Sequence, residues 1–137
     1  MGGQSLILLD THIWVWWVQG GRSLTRKISD VIKTNESSGL GVSIISYWEI
    51  SKLVERGRID LHCEISKWIS QAAAYPHIKV IDLSPEICVE STLLPKPFHR
   101  DPADQLIVAT SRCLKIPILT VDAKIVAYPH VEIISLH

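Results

Sequence analysis

The sequence predicts an α/β fold, a three-layer α/β/α sandwich around a mostly parallel central sheet. Short unbroken apolar runs alternate along the chain with longer segments whose apolar residues recur at helical spacing. Runs such as Leu6-Ile7-Leu8-Leu9 show no polar alternation, the mark of strands covered by helices on both faces. The chain's 137 residues, 47% of them hydrophobic, suffice for one core and one domain spanning 1–137.

In order, residues 6–9 form the first strand, ending at Asp10. Residues 11–18, apolar nearly all round and carrying Trp14, Trp16 and Trp17, predict a short covering helix that Gly20-Gly21 ends. Leu24, Ile28, Val31 and Ile32 sit at helical spacing in a helix over 23–33, followed by a loop at 35–39. Residues 40–45 are a second strand. Ser46 opens a helix to about residue 56, closed by Gly57, and an amphipathic helix covers about 62–75, before Pro76. Residues 78–83 read as a strand, and Ser84-Pro85-Glu86 starts a helix with proline in its first turn. Pro95-Lys96-Pro97 breaks it; Asp101-Pro102 starts the next, which runs to about residue 114. Residues 116–121 predict a strand, 123–127 a short helix and 131–135 a last strand.

A mean hydropathy of +0.20 excludes a disordered chain and predicts an apolar surface for self-association or a partner. The formal net charge of zero gives no general attraction for nucleic acid and leaves only a local basic rim for that purpose. Cys63, Cys88 and Cys113 lack metal or redox spacing and read as reduced, mostly buried thiols of a cytoplasmic protein. The start Met-Gly-Gly-Gln-Ser-Leu matches neither an export signal nor a myristoylation site, and no apolar stretch is long enough to cross a bilayer. The Asn35-Glu36-Ser37 sequon then carries no meaning.

The chemistry lies in four acids at strand-to-helix transitions: Asp10, Glu49, Asp104 and Asp122. Each has a structural explanation. Asp10 and Asp122 suit helix N-caps, Ser46-x-x-Glu49 fits a capping box, and Asp101 suits the cap of a helix carrying Asp104 in its first turn. Jointly they say more. In a parallel sheet, the strand ends and helix starts share one edge, where ligand sites form. Carboxylates gathered there repel by several kcal/mol at intermediate dielectric, and a hard cation such as Mg²⁺ or Mn²⁺ removes that cost.

Four blocks now resemble the PIN-domain family, within it most closely the VapC-type toxins of toxin–antitoxin modules. They are Leu8-Leu9-Asp10-Thr11-His12, Ser46-Tyr47-Trp48-Glu49-Ile50, the stretch from His99-Arg100-Asp101-Pro102-Ala103-Asp104-Gln105-Leu106 to Ile107-Val108-Ala109-Thr110, and Leu119-Thr120-Val121-Asp122. The third is the most specific. The resemblance implies a PIN-like fold and a Mg²⁺- or Mn²⁺-dependent endoribonuclease, with an antitoxin as partner. It implies Asp10, Glu49, Asp104 and Asp122 as the catalytic and metal-binding quartet, Asp101 as cap and lesser candidate. Gln105 departs from the arginine that many relatives carry.

Thr11 and Thr120 are supporting candidates for orienting water or phosphate, although such hydroxyls more often form turns. Arg100, Lys52 and Lys124 are candidate phosphate contacts. His12 and His99 lie near the acids without zinc spacing. The five tryptophans suit core, a homodimer seam or a groove for an antitoxin helix rather than RNA stacking. A dinucleotide-binding reading fails, since no glycine-rich turn follows the first strand. An aspartyl-phosphate phosphatase would need an acid where His12 stands. The remaining rival is a non-catalytic PIN-fold module kept for partner binding; an intact quartet argues against it.

Overall fold

A computed structural model describes residues 6–136. The start of the chain, read above as free of targeting signals, lies outside the described residues. β1 (Ile7–Leu9), β2 (Leu40–Ser43), β3 (Ile78–Ile81) and β4 (Ile118–Leu119) form one sheet in the order β3-β2-β1-β4, with every pairing parallel. Around it lie α1 (Thr11–Gln19), α2 (Arg26–Asn35), α3 (Ile44–Glu55), α4 (Ile65–Ala73), α5 (Pro85–Glu90), α6 (Pro102–Leu114) and α7 (Ala123–Val126). The three-layer architecture follows from how the central strands divide their side chains. Ile7 and Leu9 of β1 face a core with Trp14, Ile28, Ile50 and Trp68, from α1 to α4. Leu8 faces the other side, with Ile107, Val108 and Ile125 from α6 and α7. Apolar side chains thus cover both faces of β1, as its unbroken run requires.

Several boundaries differ from the sequence reading, each for a local reason. α2 starts at Arg26 because Thr25 accepts the N–H of Ile28 at 3.3 Å. α4 starts only at Ile65, since His62 holds a positive φ of 60° that no α-helix admits. β4 is shorter than its apolar run, since Pro117 has no N–H to give to a ladder. With β4 so short, the final strand reduces to a single bridge between Ile133 and Ile118.

The helix after β2 is the correction that matters for function. It begins at Ile44, because Ser43 is its cap and accepts the N–H of Ile45 at 3.1 Å. Ser46 therefore opens nothing; it is wholly buried in the first turn, and Glu49 lies in the second. The capping box is not formed. Ile44 and Ile45 continue the apolar run of β2, so hydropathy does not mark where the strand ends.

The three cysteines are free, as expected, but the expected burial is not found. Cys63 and Cys88 are exposed and Cys113 is half-buried. Cys63 precedes α4, and on α5 the buried position belongs to Ile87 beside Cys88. Trp14 and Trp68 pack in the core at 5.5 Å, Trp16 and Trp17 are half-buried, and Trp48 stands 49% exposed on α3.

Candidate metal and nuclease site

Parallel pairing brings the carboxyl ends of β1, β2 and β4 to one edge, and α6 starts at the same place. Asp10 follows β1 and is 7% exposed; Asp104 sits in the first turn of α6 and is 8% exposed. Glu49 is half-buried on α3 and Asp122 half-buried at the start of α7. Oxygens of Glu49, Asp101 and Asp104 all lie within 4.8 Å of one another. Asp10 and Asp122 stand close enough to act electrostatically on both Glu49 and Asp104.

Short hydrogen bonds hold these acids. Asp10 Oδ1 accepts the Thr11 N–H at 2.8 Å, and Oδ2 accepts the Thr120 hydroxyl at 2.6 Å. Thr120 Oγ1 in turn accepts the Asp122 N–H at 3.0 Å, which ties the ends of β1 and β4 together. Thr11, wholly buried, donates its hydroxyl to Glu49 Oε1 at 2.5 Å and lies 2.8 Å from Ser46 Oγ. Since Thr11 has one hydroxyl proton, Ser46 supplies the hydrogen between the two hydroxyls. Both threonines thus orient carboxylates, a role that strand-end position alone did not reveal. Asp101 caps α6 through the Asp104 N–H at 3.1 Å and joins the carboxylate cluster as well. Asp122 caps α7 through the N–H groups of Lys124 and Ile125.

Sequence reasoning gave His99 too little weight. Its Nε2 lies 3.0 Å from Asp104 Oδ2, near enough for a charge contact yet off the line of a hydrogen bond. Its carbonyl accepts Gln105 Nε2 at 3.1 Å, so the residue that departs from the usual arginine positions the histidine. No spacing rule flags such a contact; only its adjacency to Arg100-Asp101 hinted at it. Of the candidate phosphate contacts, Lys52 is engaged with Glu55 at 3.1 Å, while Arg100 and Lys124 are exposed.

The cluster is costly while it carries only its own charges. Burial, followed by the charges of Asp10, Asp101, Asp122 and Glu49, raises the Asp104 pKa from 3.8 to about 8. Burial raises Glu49 from 4.5 to about 7; the Thr11 hydrogen bond opposes this and neighbouring acids add to it. Burial also raises Asp10, against the hydrogen bonds from Thr120 and Thr11. An all-oxygen donor set suits a hard divalent ion. The oxygens of Glu49, Asp101 and Asp104, all within 4.8 Å of one another, are close enough for one such ion to gather. These residues fit such an ion.

The family model for the PIN domain matches residues 7–131. The chain belongs to the PIN-domain family. It is 33% identical over 105 residues to Ribonuclease VapC22 of Mycobacterium tuberculosis, covering 77% of this chain and 78% of that protein. A chain of a toxin–antitoxin complex from Klebsiella pneumoniae shares the fold with a TM-score of 0.64 at 15% identity, covering 96% of this chain and 98% of that one. A chain of VapBC2 from Rickettsia felis, bound to a promoter DNA fragment, gives 0.71 at 14% identity, with 94% and 97% covered. Its PIN-like fold is therefore shared with proteins of toxin–antitoxin complexes. No helix among the described residues is long and apolar enough to cross a membrane.

The Thr11 hydroxyl gives a direct test of how the acids are held. Thr11→Val keeps the shape but strands Ser46 and Glu49. The expected result is a folded protein less stable by about 1–3 kcal/mol, with Mn²⁺ affinity reduced about 10- to 100-fold. Calorimetric titration reads the affinity; a value equal to wild type would show that Glu49 does not depend on this contact.

Proposed function

We propose that this PIN-domain protein is a Mg²⁺- or Mn²⁺-dependent endoribonuclease and the toxin of a toxin–antitoxin pair. The observation that carries the reading is the convergence of Asp10, Glu49, Asp101, Asp104 and Asp122 at one edge of a parallel sheet. The ribonuclease relative supports the reaction class, and the toxin–antitoxin neighbours support the biological role.

Asp10, Glu49 and Asp104 would hold the ion together with Asp101, whose carboxylate converges with those of Glu49 and Asp104, and Asp122 would stand at its margin. When bound, the ion lowers the pKa of a water and offsets negative charge on the scissile phosphate. The residues do the rest. Thr120 and the Thr11 N–H fix the Asp10 carboxylate, the Thr11 hydroxyl fixes Glu49, and the α6 cap fixes the backbone beneath Asp104. In-line attack of water on phosphorus would break the P–O3′ bond, the water giving up a proton and the departing O3′ taking one up, to leave a 5′-phosphate and a 3′-hydroxyl. Arg100 and Lys124 offer positive charge to the strand. Exposed Trp48 and Ile44 on α3 supply apolar surface suited to an antitoxin or a second copy of the chain.

The test is cleavage of total RNA by purified protein with Mg²⁺ or Mn²⁺ and with chelator. Metal-dependent cuts bearing 5′-phosphates are the expected result. Tight metal binding with no RNA cut would instead favour the partner-binding module.

A further inference from the structure

Residues 97–100, which lead from the proline-rich break into α6, separate two clefts of different character. On one side Pro97, Phe98, His99, Ala127 and Tyr128 line an open, largely apolar cleft of about 610 Å³, with Lys124 in its wall. On the other, Phe98 joins Lys96, Arg100, Gln105, Ser91 and Thr92 around a polar cleft of about 380 Å³. Both volumes fall in the range of small-ligand sites. No carboxylate lines either cleft among the described residues, although His99 of the apolar cleft reaches Asp104 and Arg100 of the polar one directly precedes Asp101 in the chain. His99 links the apolar cleft to Asp104, and Gln105, the residue after Asp104, links the polar one to His99.

Two features need explaining. Lys96 and Arg100 are exposed and pair with no carboxylate among the described residues, so they do not serve to neutralise the neighbouring acids. Phe98 is a half-buried ring that contributes to both clefts, against Tyr128 at 4.6 Å and His99 at 4.5 Å. Cations that track phosphates beside an aromatic face that accepts a base are what a single nucleic-acid strand requires.

We propose that residues 97–100 form a nucleotide subsite for the RNA strand next to the scissile phosphate. The base lies against Phe98 in the apolar cleft, and the adjoining phosphate sits by Lys96 and Arg100 in the polar one. The subsite rests on the ribonuclease reading, and its test separates the two. The probe is an RNA fragment that wild type cuts, found by mapping cut sites in total RNA. Phe98→Leu keeps an apolar side chain against Tyr128 but removes the ring. It is expected to raise KM roughly tenfold, with kcat and Mn²⁺ affinity little changed. The double variant Lys96→Ala, Arg100→Ala is expected to lower the slope of log KM against log salt by roughly 0.7 per cation removed. An unchanged KM in Phe98→Leu and an unchanged salt slope in the double variant would overturn the subsite and leave the nuclease standing. A wild type that cuts no RNA would overturn the nuclease itself.

Discussion

Asp104→Asn is expected to abolish RNA cleavage and, at pH 8, to raise the melting temperature of the metal-free protein by a few degrees. The two effects have one origin. Asp104 is nearly buried and faces Asp10, Asp101, Asp122 and Glu49, so its charge is costly unless an ion sits among them. Asparagine keeps the shape and an acceptor toward His99, and the Asp101 cap bonds to the backbone N–H and is untouched. The charge alone disappears. Partners one shell removed from a metal are worth about 10- to 100-fold, so losing a ligand should cost more than about a hundredfold in rate. The stability gain should be smaller at pH 5.5 and vanish only near pH 4, where the unfolded chain also keeps the carboxyl proton. Asp10→Asn should also abolish cleavage with the fold intact, because asparagine can still accept the Thr11 N–H. Thermal melts at both pH values, run beside the cleavage assay, check the coupling. Full activity in either variant, or equal melting gains at both pH values for Asp104→Asn, would refute it.

Much of this site was legible because of how parallel sheets are built. A buried strand must be an unbroken apolar run, so Leu6-Ile7-Leu8-Leu9 announces both itself and the turn at Asp10. The same logic finds Asp122 after β4, and Asp101-Pro102 announces the start of α6. Parallel topology then gathers residues far apart in the chain without any pairwise signal. Resemblance to the PIN domain supplies the chemistry such acids serve; geometry alone supplies only their nearness.

What stayed hidden depends on side-chain direction. Ser46 looked like a cap because Ser-x-x-Glu has the right spacing, but Ser43 has equal capping chemistry and stands where the backbone turns. Nothing in the composition of Ser43-Ile44-Ile45-Ser46 ranks one serine over the other. The consequence is functional: displaced from the cap, Ser46 is free to join Thr11 and Glu49 in one hydrogen-bonded chain. His99 was undervalued for the same kind of reason. Its approach to Asp104 depends on the path of residues 95–100 and on the Gln105 contact, neither of which has a periodic signature.

Metal binding should depend steeply on pH, and the direction follows from the raised carboxyl pKa values. Between about pH 4, where the unfolded acids ionise, and pH 7 to 8, where Glu49 and Asp104 ionise in the fold, the native protein holds protons that the unfolded chain has released. Metal-free stability therefore falls as pH rises through that window. A divalent ion needs the deprotonated acids, so it must displace these protons below pH 7 and meets fewer of them above pH 8. Its affinity is expected to drop on the order of a hundredfold between pH 8 and pH 6. The metal-induced rise in melting temperature should shrink in parallel. Titration calorimetry in two buffers of different ionisation enthalpy counts the protons released on Mn²⁺ binding. Proton release approaching two at pH 6, and fewer than one at pH 8, is the expected pattern. A Kd independent of pH, with no protons released, would mean that the ion is not held by Glu49 and Asp104. Asp10 and Asp122 would then stand only as helix caps, and Glu49 and Asp104 as buried acids that hold protons instead of an ion.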